Sequence, residues 1–262
     1  MIQNQTIAAD LLATLRYRRA ALRYALVDIS NRYQRTLLGP FWMVVTSFFW
    51  VISVGTASSI LFKQDLYQLL PYMTTSVLFW SYCMALITES PHIFTSSRQY
   101  IQSMPLPMLF YVSRYAFRNL IVFAHAIVIS LIACLPFVPL SPWHLTFLVP
   151  LALLMLAISV LAGTAIGLIS VVFRDIAPAT TLITNILVII TPIFWRKDAL
   201  HGNDWFVEWN PIYHGLELYR YAFLQTEFPL LSLYFMLGLI VVLFAIAAFA
   251  FRALSHRVPY YV

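Results

Sequence analysis

The sequence predicts an all-α integral membrane protein with six transmembrane helices and both termini in the cytoplasm. Of its 262 residues, 61% are hydrophobic and only 10% are charged, and the mean hydropathy is +0.82. A soluble domain carries about 25% charged residues, so this chain has too little polar surface to cover a water-exposed globule. Its length suits one compact bundle, and we expect residues 1–262 to form a single transmembrane domain.

Six apolar stretches are long enough to be spans, since crossing the hydrocarbon core takes about 20 residues. They cover residues 40–62, 71–90, 116–138, 145–172, 178–195 and 229–251. Four prolines stand near the starts of spans, where a missing N–H costs nothing: Pro40, Pro71, Pro178 and Pro229. Pro192 lies within the fifth span and predicts a kink or an end there.

Arginine and lysine set the predicted orientation. With the N-terminus inside, twelve of the sixteen fall on the cytoplasmic side and four fall outside, namely Lys63, Arg196, Lys197 and Arg220. Cytoplasmic loops carry the excess of positive charge in multi-pass proteins, so the ratio favours this orientation. Because the arginines flank apolar spans, the basic composition does not indicate nucleic-acid binding.

Two cytoplasmic segments are predicted outside the spans. Residues 8–37 form an amphipathic interface helix, with Arg16, Arg19 and Arg23 on one face. Its apolar face comprises Leu11, Leu15, Leu22, Leu26 and Ile29. This helix is either a membrane-surface anchor or a docking helix for a cytoplasmic partner. Residues 91–115 contain a short helix bounded by prolines, which we expect to contact a partner.

The outer segment 196–228 carries an apolar stripe at helical spacing. Its members are Trp205, Trp209, Ile212, Leu216, Tyr219 and Phe223. An apolar face on a segment too short to span predicts a re-entrant helical hairpin at the outer leaflet. The alternative is an aromatic belt at the membrane surface, which Trp and Tyr also favour.

The residues that nucleotide binding and catalysis require are absent from their motifs. A P-loop needs a lysine after a glycine-rich turn, and neither Lys63 nor Lys197 follows one. No histidine lies in a recognisable motif with serine or cysteine. Cys83 and Cys134 lie in apolar runs without metal-site spacing, and we expect no metal and no cofactor on this chain.

Two further patterns concern packing and a transport path. Gly163 and Gly167 form a small-xxx-small pair, which favours close helix packing within the bundle or between protomers. Aromatic residues cluster in the first span and at the end of the fifth: Phe41, Trp42, Phe48, Phe49, Trp50, Phe194 and Trp195. Their faces suit lipid packing, and they also suit the apolar faces of sugar rings in a path that binds weakly and repeatedly.

Several motifs occur in an order typical of a known family. The first span is preceded by Arg32-Tyr33-Gln34-Arg35-Thr36-Leu37-Leu38-Gly39-Pro40-Phe41-Trp42. A turn between the fourth and fifth spans reads Phe173-Arg174-Asp175-Ile176, and Trp209-Asn210-Pro211 leads to Glu217 and Arg220. Over nearly its whole length the chain resembles the membrane subunits of ABC exporters of the polysaccharide class, which move lipid-linked O-antigen of lipopolysaccharide, capsular polysaccharide or teichoic acid.

The resemblance implies a permease of the bacterial inner membrane that works as a homodimer with two copies of a separate ATPase subunit, where ATP and Mg²⁺ would bind. Residues 92–104 would be the coupling helix seated in that subunit, and residues 8–25 the interface helix beside it. The residues implied in this contact are Arg16, Arg19, Arg23, His92, Phe94, Arg98 and Tyr100.

The resemblance also implies a substrate path between the two protomers, lined by the first, second and fifth spans. The clustered aromatic residues would line it, and the outer hairpin 198–226, with Trp205, Trp209, Glu217 and Arg220, would shape its exit. The diphosphate of a polyprenyl-linked glycan would meet arginines, because guanidinium forks fit phosphate oxygens. The candidates are Arg32, Arg35, Arg98 and Arg174.

Three alternatives remain open at this point. The same architecture could export a small drug or a lipid. A membrane transferase acting on a lipid-linked sugar would need paired acids and bases, and the cytoplasmic side offers only Asp10, Asp28, Asp175 and Glu89. A proton-coupled carrier would need ionisable groups inside the bilayer, for which Glu89 and His125 are the candidates.

Overall fold

The computed structural model describes residues 7–32, 34, 36–37, 39–62, 65–104, 106–197, 202 and 204–262, and it contains helices and no β-strand within these residues. The α-helices are α1 (Ile7–Arg16), α2 (Arg18–Arg32), α3 (Trp42–Phe62), α4 (Leu66–Glu89), α5 (Arg98–Ser103), α6 (Met108–Cys134), α7 (Pro142–Thr146), α8 (Leu148–Val172), α9 (Ile176–Ile190), α10 (Trp205–Glu208), α11 (Pro211–Leu224), α12 (Leu230–Leu254) and α13 (Val258–Tyr261). Short 3₁₀ turns occupy Gly39–Phe41, Ser90–His92, Thr95–Ser97 and Ser255–Arg257.

Within the described residues, four helical stretches are long and apolar enough to cross a bilayer. They are Tyr67–His92, Met108–Cys134, Pro142–Val172 and Leu230–Tyr261. Two further apolar helices are shorter, Val45–Ile60 within α3 and the whole of α9. Each of the six overlaps one of the predicted spans. The all-helical fold class is confirmed, whereas six crossings of the bilayer remain a prediction.

Helix α6 begins at Met108, earlier than the predicted start at residue 116. The predicted boundary was wrong because Arg114 and Arg118 interrupt the apolar pattern of the sequence. In the structure both arginines lie inside the helix and pair with carboxylates, Arg114 with Asp28 and Arg118 with Glu89. The segment between α4 and α6 is correspondingly shorter than 91–115.

Among the prolines predicted to mark helix boundaries, Pro71 and Pro192 show different outcomes. Pro71 lies inside α4, which begins at Leu66 after the N-cap residue Asp65. It is tolerated because the carbonyl that loses its partner belongs to Tyr67, an exposed residue near the helix end. Pro192 follows the last residue of α9, Ile190, so that helix ends where the proline predicted.

The segment predicted as one interface helix over 8–37 forms two helices, which meet at Tyr17 and end at Arg32. Both pack on α6. The contact is made by small residues, since Ala21 and Ala25 are fully buried. The leucines of the predicted apolar face are exposed, as Leu15 and Leu22 illustrate at 49% and 43%. That face is therefore directed away from the bundle, as a membrane-facing surface requires.

Aromatic rings form the core of the bundle. Phe79 and Tyr82 of α4 pack with Phe123 of α6 and Tyr219 of α11, with ring centroids 4.7–6.3 Å apart. The two buried phenols have polar partners, because Tyr82 Oη lies 2.9 Å from Ser159 Oγ and Tyr219 Oη lies 2.8 Å from Ser130 Oγ. Buried hydroxyl groups without partners would destabilise the core, so these pairs fix which helix faces meet.

Gly163 and Gly167 of α8 lie against the segment between α4 and α6. A Cβ atom on Gly163 would come within 2.8 Å of the Tyr115 ring, and one on Gly167 within 3.1 Å of the Phe94 ring. The glycines therefore allow α8 to approach this segment closely inside one chain.

Candidate functional site

One end of the bundle, here called the arginine-rich end, gathers the C-termini of α2 and α4, helix α5 and the N-terminus of α6. The segment following α4 makes two 3₁₀ turns before α5, and its apolar side chains Ile93 and Phe94 are buried. His92 and Arg98 point outward and are exposed. Of the residues predicted to contact a partner, Phe94 thus anchors the segment to the bundle, while His92 and Arg98 are available.

Arginines and carboxylates of three elements form a charge cluster at the arginine-rich end. Glu89 at the end of α4 accepts hydrogen bonds from Arg32 of α2 at 2.9 Å and from Arg118 of α6 at 2.6 Å. The Arg114 guanidinium donates to both carboxylate oxygens of Asp28 in α2, with Arg114 Nε 2.6 Å from Asp28 Oδ2. The cluster therefore connects α2 to α4 and α6.

Tyr100 of α5 joins the same cluster through its ring. The Arg114 guanidinium lies 5.2 Å from its centroid, and the Tyr24 ring packs edge-on at 5.5 Å. Tyr100 was predicted to contact a partner, and it is partly buried, with these ring contacts made within the chain. Arg16, Arg19 and Arg23 are exposed on the surface of α1 and α2.

Asp10 of α1 caps the N-terminus of α6. Its carboxylate accepts from the backbone N–H groups of Met108 at 3.2 Å and Leu109 at 2.7 Å, and it is only 3% exposed. Burial raises the pKa of the Asp10 carboxyl, and the two backbone hydrogen bonds partly oppose that rise. The sequence shows Asp10 but not this role, because the predicted start of α6 at residue 116 lies beyond the two N–H groups that Asp10 binds.

We expect Asp10→Ala to lower the free energy of unfolding by about 1 kcal/mol, since it removes the cap of a long helix. Thermal unfolding of the purified chain measures the change. Asp175→Ala is the matched control, because Asp175 precedes α9 without a side-chain capping bond and is exposed. Equal melting temperatures for Asp10→Ala and the parent would contradict the capping role.

The arginines predicted to meet a diphosphate fall into separate places. Arg98 and Arg174 are both exposed and line one pocket of about 320 Å³ with His92 and Ser170. Arg32 belongs to the charge cluster instead, paired with Glu89. Arg35 lies outside the described residues.

Four of the seven predicted path aromatics line two grooves on either side of α3. Trp50 and Phe194 stack with centroids 6.1 Å apart in the groove between α3, α4 and α9, here called the hydroxyl groove. Phe41 and Phe48 line a larger groove between α3, α4 and α6, here called the apolar groove, with His125 at its wall. Trp42 and Phe49 are exposed, and Trp195 is half-buried.

The hydroxyl groove has a volume of about 430 Å³ and mixes rings with polar groups. Its polar residues are Thr46, Ser47, Ser81, Thr184 and Asn185. Three of the hydroxyls donate to carbonyls of their own helices, which leaves oxygen lone pairs free to accept.

At the opposite end of the bundle, the apolar stripe of the outer segment is divided. Ile212, Leu216, Tyr219 and Phe223 are buried in α11, whereas Trp205 and Trp209 are 70% and 77% exposed. Asn210 caps α11 by accepting from the Ile212 N–H at 3.0 Å and donates to Thr191 Oγ1 at 2.8 Å. The helical pair α10–α11 is thereby fixed to the end of α9.

Arg220, which was predicted on the outer side, is 3% exposed and buried within the bundle. Its guanidinium donates to Ser76 Oγ at 2.6 Å, to the Pro192 carbonyl at 2.5 Å and to Glu217 at 3.0 Å. It also lies 3.8 Å from the centroid of the Tyr72 ring. Nothing in the sequence pairs Arg220 with Ser76, which is distant along the chain.

Residue clusters for metal binding do not occur in the described part of the chain, where no group of three His, Cys, Asp or Glu side chains comes together. Charged groups that do meet there form ion pairs, including Lys197 with Asp204 at 2.9 Å and Glu208 at 3.0 Å. The Lys197 ammonium lowers the pKa of Asp204 through its hydrogen bond.

Comparison with known families gives one match. The family described as ABC-2 type transporter matches residues 25–224 of the 262, from within α2 to the last residue of α11. Comparison with curated proteins finds no significant match. The matched range contains the charge cluster, both grooves and Arg220. The chain therefore belongs to the ABC-2 type transporter family, as the multi-pass membrane permease of an ATP-driven transporter, a component that lacks an ATPase site and typically pairs with a nucleotide-binding subunit.

Proposed function

We propose that this permease exports a lipid-linked polysaccharide, such as O-antigen or capsule, from the cytoplasmic side of the bacterial inner membrane. The observation that carries the proposal is the hydroxyl groove, which lies between the three helices expected to line the path. It combines the stacked pair Trp50 and Phe194 with hydroxyl and amide groups along its length.

Such a surface suits a sugar chain better than a purely apolar ligand. Aromatic rings contact the C–H faces of sugars, while hydroxyl oxygens accept from sugar hydroxyls. Asn185 adds the sharpest argument, because it is exposed on a helix whose other polar residues are threonines, and it has no hydrogen-bond partner within the described residues. An amide facing hydrocarbon without a partner is costly, so this face of α9 is better suited to a polar path.

The groove is open on one side in a single chain, and a second copy would close it. Trp50 is 52% exposed, and Ile183 and Ile186 of α9 are each 49% exposed. We propose a homodimer in which these faces of α3 and α9 enclose the path between protomers, with two copies of the ATPase below. The exposed His92 and Arg98 are suited to contact the ATPase, with Arg16, Arg19 and Arg23 beside them.

The arginine-rich end would face the cytoplasm, which places both termini inside and six helices across the bilayer. There, Arg98 and Arg174 share a pocket, and neither forms an ion pair with another described residue. Two free guanidinium groups suit the diphosphate of a polyprenyl-linked glycan. Arg32 and Arg35 remain the other candidates for this contact.

A strain lacking the gene tests the proposal directly. We expect surface glycan to disappear and lipid-linked glycan to accumulate inside, because synthesis continues without export. Normal surface glycan, or loss without accumulation inside, would count against polysaccharide export and favour a drug or lipid substrate.

In the complemented strain, Trp50→Ala is expected to slow export roughly fivefold, if the ring contributes about 1 kcal/mol as aromatic contacts do. The measurement is the rate at which newly made glycan reaches the surface at equal permease abundance. Phe249→Ala on α12 is the matched control, since Phe249 is 75% exposed and lies outside both grooves. Equal rates for the two variants would remove Trp50 from the path.

A further inference from the structure

A polar pocket of about 510 Å³ lies behind the charge cluster, between α2, the segment after α4, and α6. Three arginines and two carboxylates line it: Arg32, Arg114, Arg118, Asp28 and Glu89. These five side chains leave one net positive charge. The pocket therefore suits a ligand with a single negative charge.

Two donors at this pocket have no partner. Tyr111 lines it, is 2% exposed, and its hydroxyl makes no hydrogen bond. The Nε–H of Arg118 is likewise buried without a partner, although its terminal nitrogen pairs with Glu89. Buried polar groups are normally satisfied, so two unsatisfied donors lining one pocket indicate a missing acceptor.

The apolar groove begins further along the same face of α6. Tyr111, Arg114 and Arg118 are spaced as one helical stripe, and Ile121, His125 and Val128 prolong that stripe as the groove wall. The step from Arg118 to Ile121 is roughly 4.5 Å along the axis. The groove has a volume of about 880 Å³ and is almost entirely apolar. A polar pocket large enough for a phosphate group and a groove with space for hydrocarbon thus follow one another on a single face of α6.

We propose that pocket and groove bind one anionic phospholipid of the cytoplasmic leaflet, with its phosphodiester at Tyr111 and Arg118 and its acyl chains along α3 and α6. The inference rests on the membrane orientation given under the proposed function. A phosphodiester carries the single negative charge that the pocket lacks, and basic pockets between transmembrane helices on the cytoplasmic side are known lipid sites.

The depth of the groove agrees with this occupant. One leaflet provides about 15 Å of hydrocarbon, which corresponds to roughly ten residues of α6. Counted from Ile121, acyl chains would therefore run along the inner part of the groove, beside Phe48 and Val128. The site lies on the opposite side of α3 from the hydroxyl groove, so a resident lipid would not obstruct the proposed path.

The test uses the full chain purified in neutral detergent, titrated with phosphatidylglycerol or phosphatidylcholine and observed by native mass spectrometry and thermal unfolding. We expect one phosphatidylglycerol per chain and a higher melting temperature with phosphatidylglycerol than with phosphatidylcholine. Tyr111→Phe should weaken phosphatidylglycerol binding about tenfold, since a hydrogen bond to a charged group is lost. Without lipid its melting temperature should not fall, because the hydroxyl has no protein partner to lose.

Ala124→Phe provides the second variant, because Ala124 is exposed in the groove and a larger side chain would fill it. Ala245→Phe, at an exposed position of α12, is its matched control and should bind like the parent. Equal effects of the two phospholipids, or parental binding by both Tyr111→Phe and Ala124→Phe, would overturn the proposal. Displacement of phosphatidylglycerol by an equal amount of polyprenyl phosphate would also overturn it and assign the site to the carrier lipid. No glycan or ATPase takes part, so a failure of the export proposal leaves this result unaffected.

Discussion

Replacing Arg220 by methionine is expected to lower the free energy of unfolding by about 3–5 kcal/mol, the largest stability effect foreseen for a single substitution here. Methionine fills much of the same volume but leaves Ser76 and Glu217 without the guanidinium donor, and it leaves the Pro192 carbonyl with the Tyr72 hydroxyl alone. Removing one partner of a buried charged network leaves the others desolvated and unpaired, which costs more than the lost contact itself.

The same substitution should also reduce transport. Tyr72 Oη donates to the carbonyls of Pro192 and Trp195, and Arg220 packs on the Tyr72 ring, so both side chains hold the bend after α9. That bend carries Phe194, the stacking partner of Trp50. Loss of Arg220 would therefore loosen one wall of the hydroxyl groove.

Thermal unfolding of the purified chain and the export rate at equal abundance are the two measurements. Arg196→Met is the matched control, because Arg196 faces the same ring at 5.8 Å but is exposed. Surface changes of this kind usually stay within about 0.5 kcal/mol. Equal melting temperatures for Arg220→Met and the parent would show that the buried network does not contribute to stability.

Gly163→Ile is expected to cost about 2–3 kcal/mol and to impair coupling to the ATPase. Its Cβ alone would come within 2.8 Å of Tyr115 and 3.1 Å of Ile93. The Tyr115 ring cannot easily move, since it is buried and its hydroxyl donates to the Leu86 carbonyl. Overpacking of this kind forces backbone shifts, which here would push α8 away from the segment that precedes α5.

The matched control for this substitution is Gly238→Ile in α12, where a Cβ would meet nothing within 4 Å. That change should be neutral or slightly stabilising, because glycine is a poor helix former. Melting temperature and transport-linked ATP hydrolysis by the reconstituted complex distinguish the two. Similar behaviour of both variants would show that close packing at Gly163 is dispensable.

The positions of the apolar helices could be predicted because composition alone reports them. The charged residues inside helices could not be predicted, because the sequence shows an arginine without showing the carboxylate that pairs with it. The start of α6 was misplaced for this reason: Arg114 and Arg118 read as a boundary until Asp28 and Glu89 are seen beside them. In the same way, the sequence shows Arg220 in the outer segment but does not show that its guanidinium donates to Ser76 and to the Pro192 carbonyl.

Candidate site residues were predictable as types but not as groups. The sequence proposes four arginines for one diphosphate, and the structure unites Arg98 with Arg174 while pairing Arg32 with Glu89. The sequence also predicts one path lined by seven aromatic residues, and the structure divides four of these between two grooves on either side of α3. Tyr111 was not considered at all, because a single tyrosine in an apolar helix carries no signal until its hydroxyl is seen to lack a partner.

The polar ties between the N-terminal helices and α6 have a mechanical consequence. Asp10 holds residues 108 and 109, Asp28 holds Arg114, and Glu89 joins Arg32 to Arg118. These attachments are spread over roughly 15 Å of α6, so α1 and α2 cannot pivot on it without breaking at least one. If the ATPase binds at the arginine-rich end, as proposed, its movement would therefore displace α1, α2 and the start of α6 together as one rigid body. The element free to move is then α3, whose buried residues, where described, are only Val51, Gly55 and Ser58.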